Sequence, residues 1–110
     1  MKSVLAAALM VFICTPAVLA AGSGDAAAGK DTYGKHCLAC HGADASGNTP
    51  IAKGMKVTIP NLASKEVQAL SDADLQKVMT QGKGKMPPVK DLTDADLHNL
   101  VAYIRTLARK

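Results

Sequence analysis

Residues 37–41 read Cys-Leu-Ala-Cys-His. Two thiols two residues apart, with an imidazole directly after the second, admit three chemistries. They could form a redox dithiol, part of a zinc site, or a covalent anchor for haem. A structural zinc site needs four ligands and a catalytic one three. Beyond Cys37, Cys40 and His41 the chain offers only His36, His98 and carboxylates, and adjacent Cys40 and His41 do not easily share one tetrahedral ion with Cys37. A thioredoxin-like dithiol sits at a helix start in a βαβ setting. Here the motif falls at the end of an expected helix, and no convincing strand accompanies it. "MKVTIP" (residues 55–60) is the best strand candidate, and a proline ends it. In the haem reading both thiols add across the vinyl groups of one haem, and the next residue carries its imidazole to the iron.

Such attachment takes place outside the cytoplasm, and the start of the chain agrees with it. After the basic Met1–Lys2, "SVLAAALMVFICTPAVLA" is apolar and ends in small residues. That is the layout of a secretory signal over residues 1–20, with cleavage expected after Ala20 or Ala21 and a periplasmic or otherwise exported product. As a membrane span the run is barely long enough and is interrupted by Pro16, so no anchor is expected after cleavage. Cys14 follows Val-Phe-Ile rather than the small residues that precede a lipid-bearing cysteine, and is read as part of the leader.

Removing the leader changes what remains. Of three cysteines only Cys37 and Cys40 stay, and loss of Lys2 lowers the formal charge from +4 to +3. Phe12 leaves as well, so Tyr33 and Tyr103 are the only phenyl-type rings in a domain of roughly 90 residues, 21–110, that has no tryptophan. A small domain with so little core material commonly recruits a disulfide, a metal or a cofactor. A haem would supply the broad apolar plate that is missing.

The elements that must position these residues are mostly helical. Asp25 is placed to cap a helix running to about Cys40, in which Gly29 and Gly34 each need a packing reason. "HGADASGNTPIAKGMKVTIPNL" (residues 41–62) reads as loop. "LSDADLQKVMTQG" (70–82) and "LTDADLHNLVAYI" (92–104) start alike. In each, Ser71 or Thr93 stands three residues before Asp74 or Asp96, a capping box with Asp in place of Glu. Leu70 with Leu75, and Leu92 with Leu97, are spaced as hydrophobic staples. The first of these helices must stop by Gly82, because "GKGKMPP" (82–88) combines glycines with two prolines. The last repeats Leu97, Leu100, Val101, Ile104 and Leu107 at helical spacing, with Arg105, Arg109 and Lys110 suited to its C-terminal dipole.

With these residues in view, the chain resembles the class I c-type cytochromes, small monohaem electron carriers, over nearly all of residues 21–110. "GKDTYGKHCLACH" (29–41) looks like the family's first helix running into its haem motif. "IPNL" (59–62) looks like the Pro-x-Leu segment. "GKGKMPP" looks like the methionine-ligand loop. "LVAYI" (100–104) looks like the C-terminal helix. "CHGADASGN" (40–48) is similar to bacterial members that are soluble carriers or haem domains of dehydrogenases. The resemblance implies an all-α fold of three main helices and loops around one covalent haem c. It implies that the Pro60 carbonyl orients His41, and that Leu100 and Tyr103 cross the first helix at Gly29.

The sixth iron ligand must then be chosen among Met55, Met79 and Met86. A thioether suits an electron-transfer haem and raises its potential relative to two imidazoles. Met79 sits mid-helix on an apolar face and reads as core. Met55 follows Lys53-Gly54 in a loop and competes. Met86, far from His41 in sequence and held between glycines and prolines, is the expected ligand. His36 and His98 read as surface. With His41 and Met86 on the iron, the expected role is one-electron transport and not catalysis. The alternatives are a haem subunit of a larger dehydrogenase, or a sensor or peroxidase with a labile sixth position. Lys53, Lys56, Lys83, Lys85 and Lys90 fall in loops expected around the haem edge. They either only solvate the surface or steer the carrier to acidic redox partners. The small basic excess, without aromatic or arginine-rich patches, argues against nucleic acid.

Overall fold

The computed structural model describes Val11 and residues 24–108. The expected cleavage site, Cys14, Arg109 and Lys110 lie outside the described residues. Six helices follow one another: α1 Ala26–His36, α2 Leu38–His41, α3 Pro50–Met55, α4 Lys65–Gln68, α5 Asp72–Gln81 and α6 Asp94–Leu107. Among the described residues the only bridge is an isolated antiparallel one between Lys83 and Met86. The class is all-α, and α1, α5 and α6 are the three long helices.

Local chemistry accounts for most helix ends. The Asp25 carboxylate accepts the Ala27 and Ala28 amides at 2.9 and 3.2 Å and starts α1. Thr93 and Asp96 form a full reciprocal capping box at α6. At α5 only one half is made, the Ser71 hydroxyl accepting the Asp74 amide at 3.0 Å. Leu70 and Leu92 pack against the cluster that contains Leu75 and Leu97, as staples would. Helix α5 ends on Gly82, whose φ of 75° is a left-handed conformation that glycine adopts without a Cβ penalty.

The expected run from Asp25 to Cys40 is two helices, not one. Cys37 (φ −116°, ψ −27°) interrupts it, although its amide still reaches Tyr33 O at 2.8 Å. The kink lets the Cys37 side chain pack on the core while Leu38 and Ala39 face solvent. The expected loop 41–62 also holds a helix. In α3 Thr49 is the N-cap and Pro50 occupies the first turn, where its missing N–H costs nothing.

The core is Tyr33, Ala45, Val67, Leu75, Met79, Leu97, Leu100, Val101, Tyr103, Ile104 and Leu107, half of it from α6. Helix α6 packs chiefly on α1. The close approach depends on Gly29. A Cβ there would lie 1.9 Å from Asn99 O and 3.0 Å from Tyr103 Cβ. The crossing is where the resemblance puts it, with the Asn99 carbonyl rather than Leu100 as the nearest obstacle. The Tyr33 and Tyr103 rings meet beside it, 5.2 Å apart and tilted by 55°, within the centroid spacing that aromatic pairs favour.

Candidate haem-binding site

Cys37, Cys40 and His41 span the joint between α1 and α2. Both cysteines are partly buried and not linked to each other. The carbonyls around the end of α2 would be orphaned in so short a helix, and neighbouring segments take them up. The Thr49 hydroxyl donates to Cys40 O at 2.9 Å. The Gly47 amide donates to His41 O at 2.8 Å. The Tyr33 hydroxyl donates to Gly42 O at 2.6 Å. Burial, then the nearby Cys37, pushes the Tyr33 phenol far above its ordinary range, so it remains a donor. Three consecutive carbonyls are thus held from three directions, and the backbone bearing His41 has little freedom.

The His41 ring is largely buried, and its Nδ1 has no hydrogen-bond partner. The expected bond to the Pro60 carbonyl is not among those formed. Burial lowers the His41 pKa, favouring the neutral imidazole that binds metals. Burial, then the neighbouring Cys40, pushes the Cys37 thiol up to about 11. A reactive dithiol has a thiol lowered instead. Among the described residues no three His, Cys, Asp or Glu side chains gather as a metal cluster, as a zinc site would require.

Met86 lies in a tight turn at the end of α5. The Lys83 amide donates to Met86 O at 3.0 Å and the Met86 amide returns the bond to Lys83 O at 2.9 Å. The Val89 amide donates to Met79 O at 2.8 Å, anchoring the far side of the turn to α5. The turn folds so closely over Gly82 that a Cβ there would stand 2.5 Å from Met86 O. Met86 is half-buried, Met79 is in the core, and Met55 ends α3 with 44% of its surface exposed. His36 and His98 are exposed. Within residues 24–108, the large apolar side chains left exposed are Leu38, Ile51 and Met55, on α2 and α3 beside the motif. Unlinked thiols, a buried imidazole with an orphaned nitrogen, and apolar surface nearby fit a haem.

Comparison with known proteins agrees. Residues 24–104 match the family model described as cytochrome c oxidase, cbb3-type, subunit III. Cytochrome c6 of Cyanidioschyzon merolae is 30% identical, over 100% of this chain and 98% of its own length. The chain belongs to the class I c-type cytochromes. Cytochrome c-554(547) of Halothiobacillus neapolitanus is 34% identical, over 77% of this cytochrome and 99% of its own length. The cbb3-type oxidase subunit CcoP of Azospirillum brasilense is 37% identical over 77% of this chain, which spans 30% of that longer protein. The solved structure of the KustC0563 c-type cytochrome superposes with a TM-score of 0.60 at 32% identity, over 72% of this chain and 95% of the other.

The fold is therefore that of cytochrome c, and the cofactor is covalent haem c with its iron. The protein is an electron carrier whose partners are redox proteins. No helix among the described residues is long and apolar enough to cross a membrane.

Two structural contacts are not evident from the sequence. Thr49 carried a legible signal, a Thr-Pro pair opening a helix, hidden by the glycines and asparagine around it. From the sequence Arg105 is only a dipole partner; its contacts lie more than thirty residues away.

Proposed function

We propose that this cytochrome is an exported, soluble one-electron carrier and not an enzyme. Cys37 and Cys40 would hold its haem through thioethers, and His41 and Met86 would be the residues that bind its iron. The observation that carries the ligand pair is the Met86 turn, pinned by both Lys83 bonds and tied through Val89 to α5. A thioether delivered by such a turn would stay in place when the charge on a bound metal changed. The haem, when bound, supplies a ferric/ferrous couple. The protein does the rest. Cys37 and Cys40 fix the ring to the α1–α2 joint. His41 would bind through Nε2, leaving Nδ1, which has no partner in the structure, free to donate to the Pro60 carbonyl once haem is in place; that bond would orient the ring and raise its basicity. Met86 would supply the second protein ligand and so keep small ligands out.

Export rests on the leader pattern in residues 1–20, with the haem domain running over 21–110. Lys53, Lys56, Lys83, Lys85 and Lys90 are all exposed and would steer acidic partners. Association rates should then fall as salt rises.

The test is substitution of both candidates outside the core, Met86 and Met55. Met86→Ala should abolish the sulfur-to-iron charge-transfer absorption of the ferric protein, lower the potential, and admit cyanide. Met55→Ala should do none of this. A reversed result moves the ligand to Met55. A wild-type protein that is high-spin and binds carbon monoxide readily would instead favour a sensor or peroxidase. The match to an oxidase subunit favours a second reading, a haem subunit held permanently in a larger oxidoreductase. Elution of the native protein as a stable assembly rather than as a monomer would select it.

A further inference from the structure

Arg105 projects from α6 into the corner between α4 and α5. Its Nη1 donates to Gln68 O at 2.9 Å and its Nη2 to Leu70 O at 2.7 Å. These carbonyls lie at the C-terminal end of α4, where helical partners run out. The Asp72 carboxylate, in the first turn of α5, accepts from Nη2 at 2.7 Å and from Nε at 3.2 Å. Gln68 completes the joint. Its Nε2 donates to Leu62 O at 2.8 Å and to Ile104 O at 3.0 Å, and its Oε1 accepts from Arg105 Nη1 at 3.3 Å. One side chain of α6 therefore closes the end of α4 and, through Leu70 O, holds the segment that leads into α5.

The other end of α5 carries the Met86 turn. The helix has ten residues, so it is a rod about 15 Å long. Leu75 and Met79 bury its middle in the core. A rod seated at its middle and released at one end pivots, and the turn at the far end moves with it.

We propose that Arg105 is a positioning residue for Met86: by locking the α4–α5 corner to α6, it sets how firmly the Met86 turn stays closed on the iron. The inference rests on the Met86 ligation proposed above. The forked contact to two carbonyls carries the effect, and the charge pair contributes little. Arg105 and Asp72 side chains are 31% and 38% exposed, and solvent screens such pairs. Lysine keeps the charge but cannot span both carbonyls and the carboxylate at once.

The experiment uses the ferric holoprotein and measures cyanide binding, which requires the Met86 turn to open. Arg105→Lys should speed it about tenfold, the effect of losing one hydrogen bond from a charged donor. The charge-transfer absorption should also vanish at a lower temperature. Asp72→Ala should change the rate less than about twofold. Thr93→Ala weakens the α6 cap without touching α4 or α5, so it should lower the denaturation midpoint and leave the cyanide rate within about twofold. If Arg105→Lys lowers the midpoint but leaves the cyanide rate unchanged, Arg105 is an ordinary stabilising contact and the inference is wrong. It is equally wrong if Thr93→Ala speeds cyanide as much. If the lysine variant does not accumulate, Gln68→Met removes the side-chain half of the same joint. Faster binding there supports the inference and an unchanged rate overturns it. A wild-type protein without the charge-transfer absorption would remove the Met86 ligation itself, an outcome separate from all of these.

Discussion

Replacing Gly29 by alanine tests the contact on which the fold turns. The added Cβ would stand 1.9 Å from the Asn99 carbonyl oxygen and 3.0 Å from Tyr103 Cβ, whereas ordinary contact begins near 3.4 Å. Helices α1 and α6 would have to separate by about 1.5 Å, because the obstacle is backbone and cannot rotate away. Overpacking costs typically about 1–3 kcal/mol, and a backbone obstacle places this site near about 3. Alanine returns about 1 kcal/mol through its higher helix propensity. The net loss is about 2 kcal/mol, a fall in melting temperature of about 8–16 °C for a domain of this size. Gly34, in the same helix, is an internal control, since nothing lies within 4 Å of its Cβ position. Gly34→Ala should therefore stabilise by about 0.5–1 kcal/mol. Thermal unfolding of both holoproteins followed by circular dichroism gives the comparison. If Gly29→Ala melts at or above the wild type, as Gly34→Ala should, the close crossing of α1 and α6 is refuted.

Three further outcomes follow from single contacts. Thr49→Val leaves Cys40 O and the Ala52 amide without the hydroxyl they share; it should cost about 2 kcal/mol in chemical denaturation, with Thr49→Ser close to wild type. Lys56 closes α3 with φ 56°, a left-handed conformation. Lys56→Gly should raise stability by up to about 1 kcal/mol, the relief of strain less glycine's added freedom in the unfolded chain. Asp96 accepts the Thr93 amide, which lowers its carboxyl below the ordinary 3.8. A depressed carboxylate contributes stability that is complete above its unfolded value and is lost as pH falls through the folded one. Stability should therefore fall more steeply below pH 3.8 in wild type than in Asp96→Asn, as read from acid titrations of the denaturation midpoint.

Much of this protein was legible along the chain because the signals are local. Cys37, Cys40 and His41 are neighbours, so their spacing narrows their chemistry to three possibilities, and the lack of further ligands and strands along the chain favours haem. The caps Asp25, Ser71 and Thr93 bond amides two or three residues away. Gly82 stops α5 through its own φ. The core face of α6 follows from helical periodicity. The all-α class and the haem motif therefore came from short-range pattern. Helix α3 was lost because several loop-forming residues outweighed one Thr-Pro cap, and the break at Cys37 because it answers to packing, which no propensity records.

What joins the parts was decided only by the tertiary structure. Gly29 is explained by a carbonyl about seventy residues later, at Asn99. Asn99 Oδ1 also accepts the Asp25 amide at 2.8 Å and ties the start of α1 to α6. The guanidinium of Arg105 finds Gln68, Leu70 and Asp72 across more than thirty residues. These pairings depend on how two helices are turned against each other. That angle is set by side-chain volume summed over the whole interface, which no window of neighbouring residues contains. The sequence by itself determined which residues are candidates for the chemistry and where α1, α5 and α6 begin. The tertiary structure decided how the His41 backbone and the Met86 turn are held, through bonds from Tyr33, Gly47 and Thr49 and from Lys83 and Val89, because those bonds depend on how each loop folds back on its neighbours.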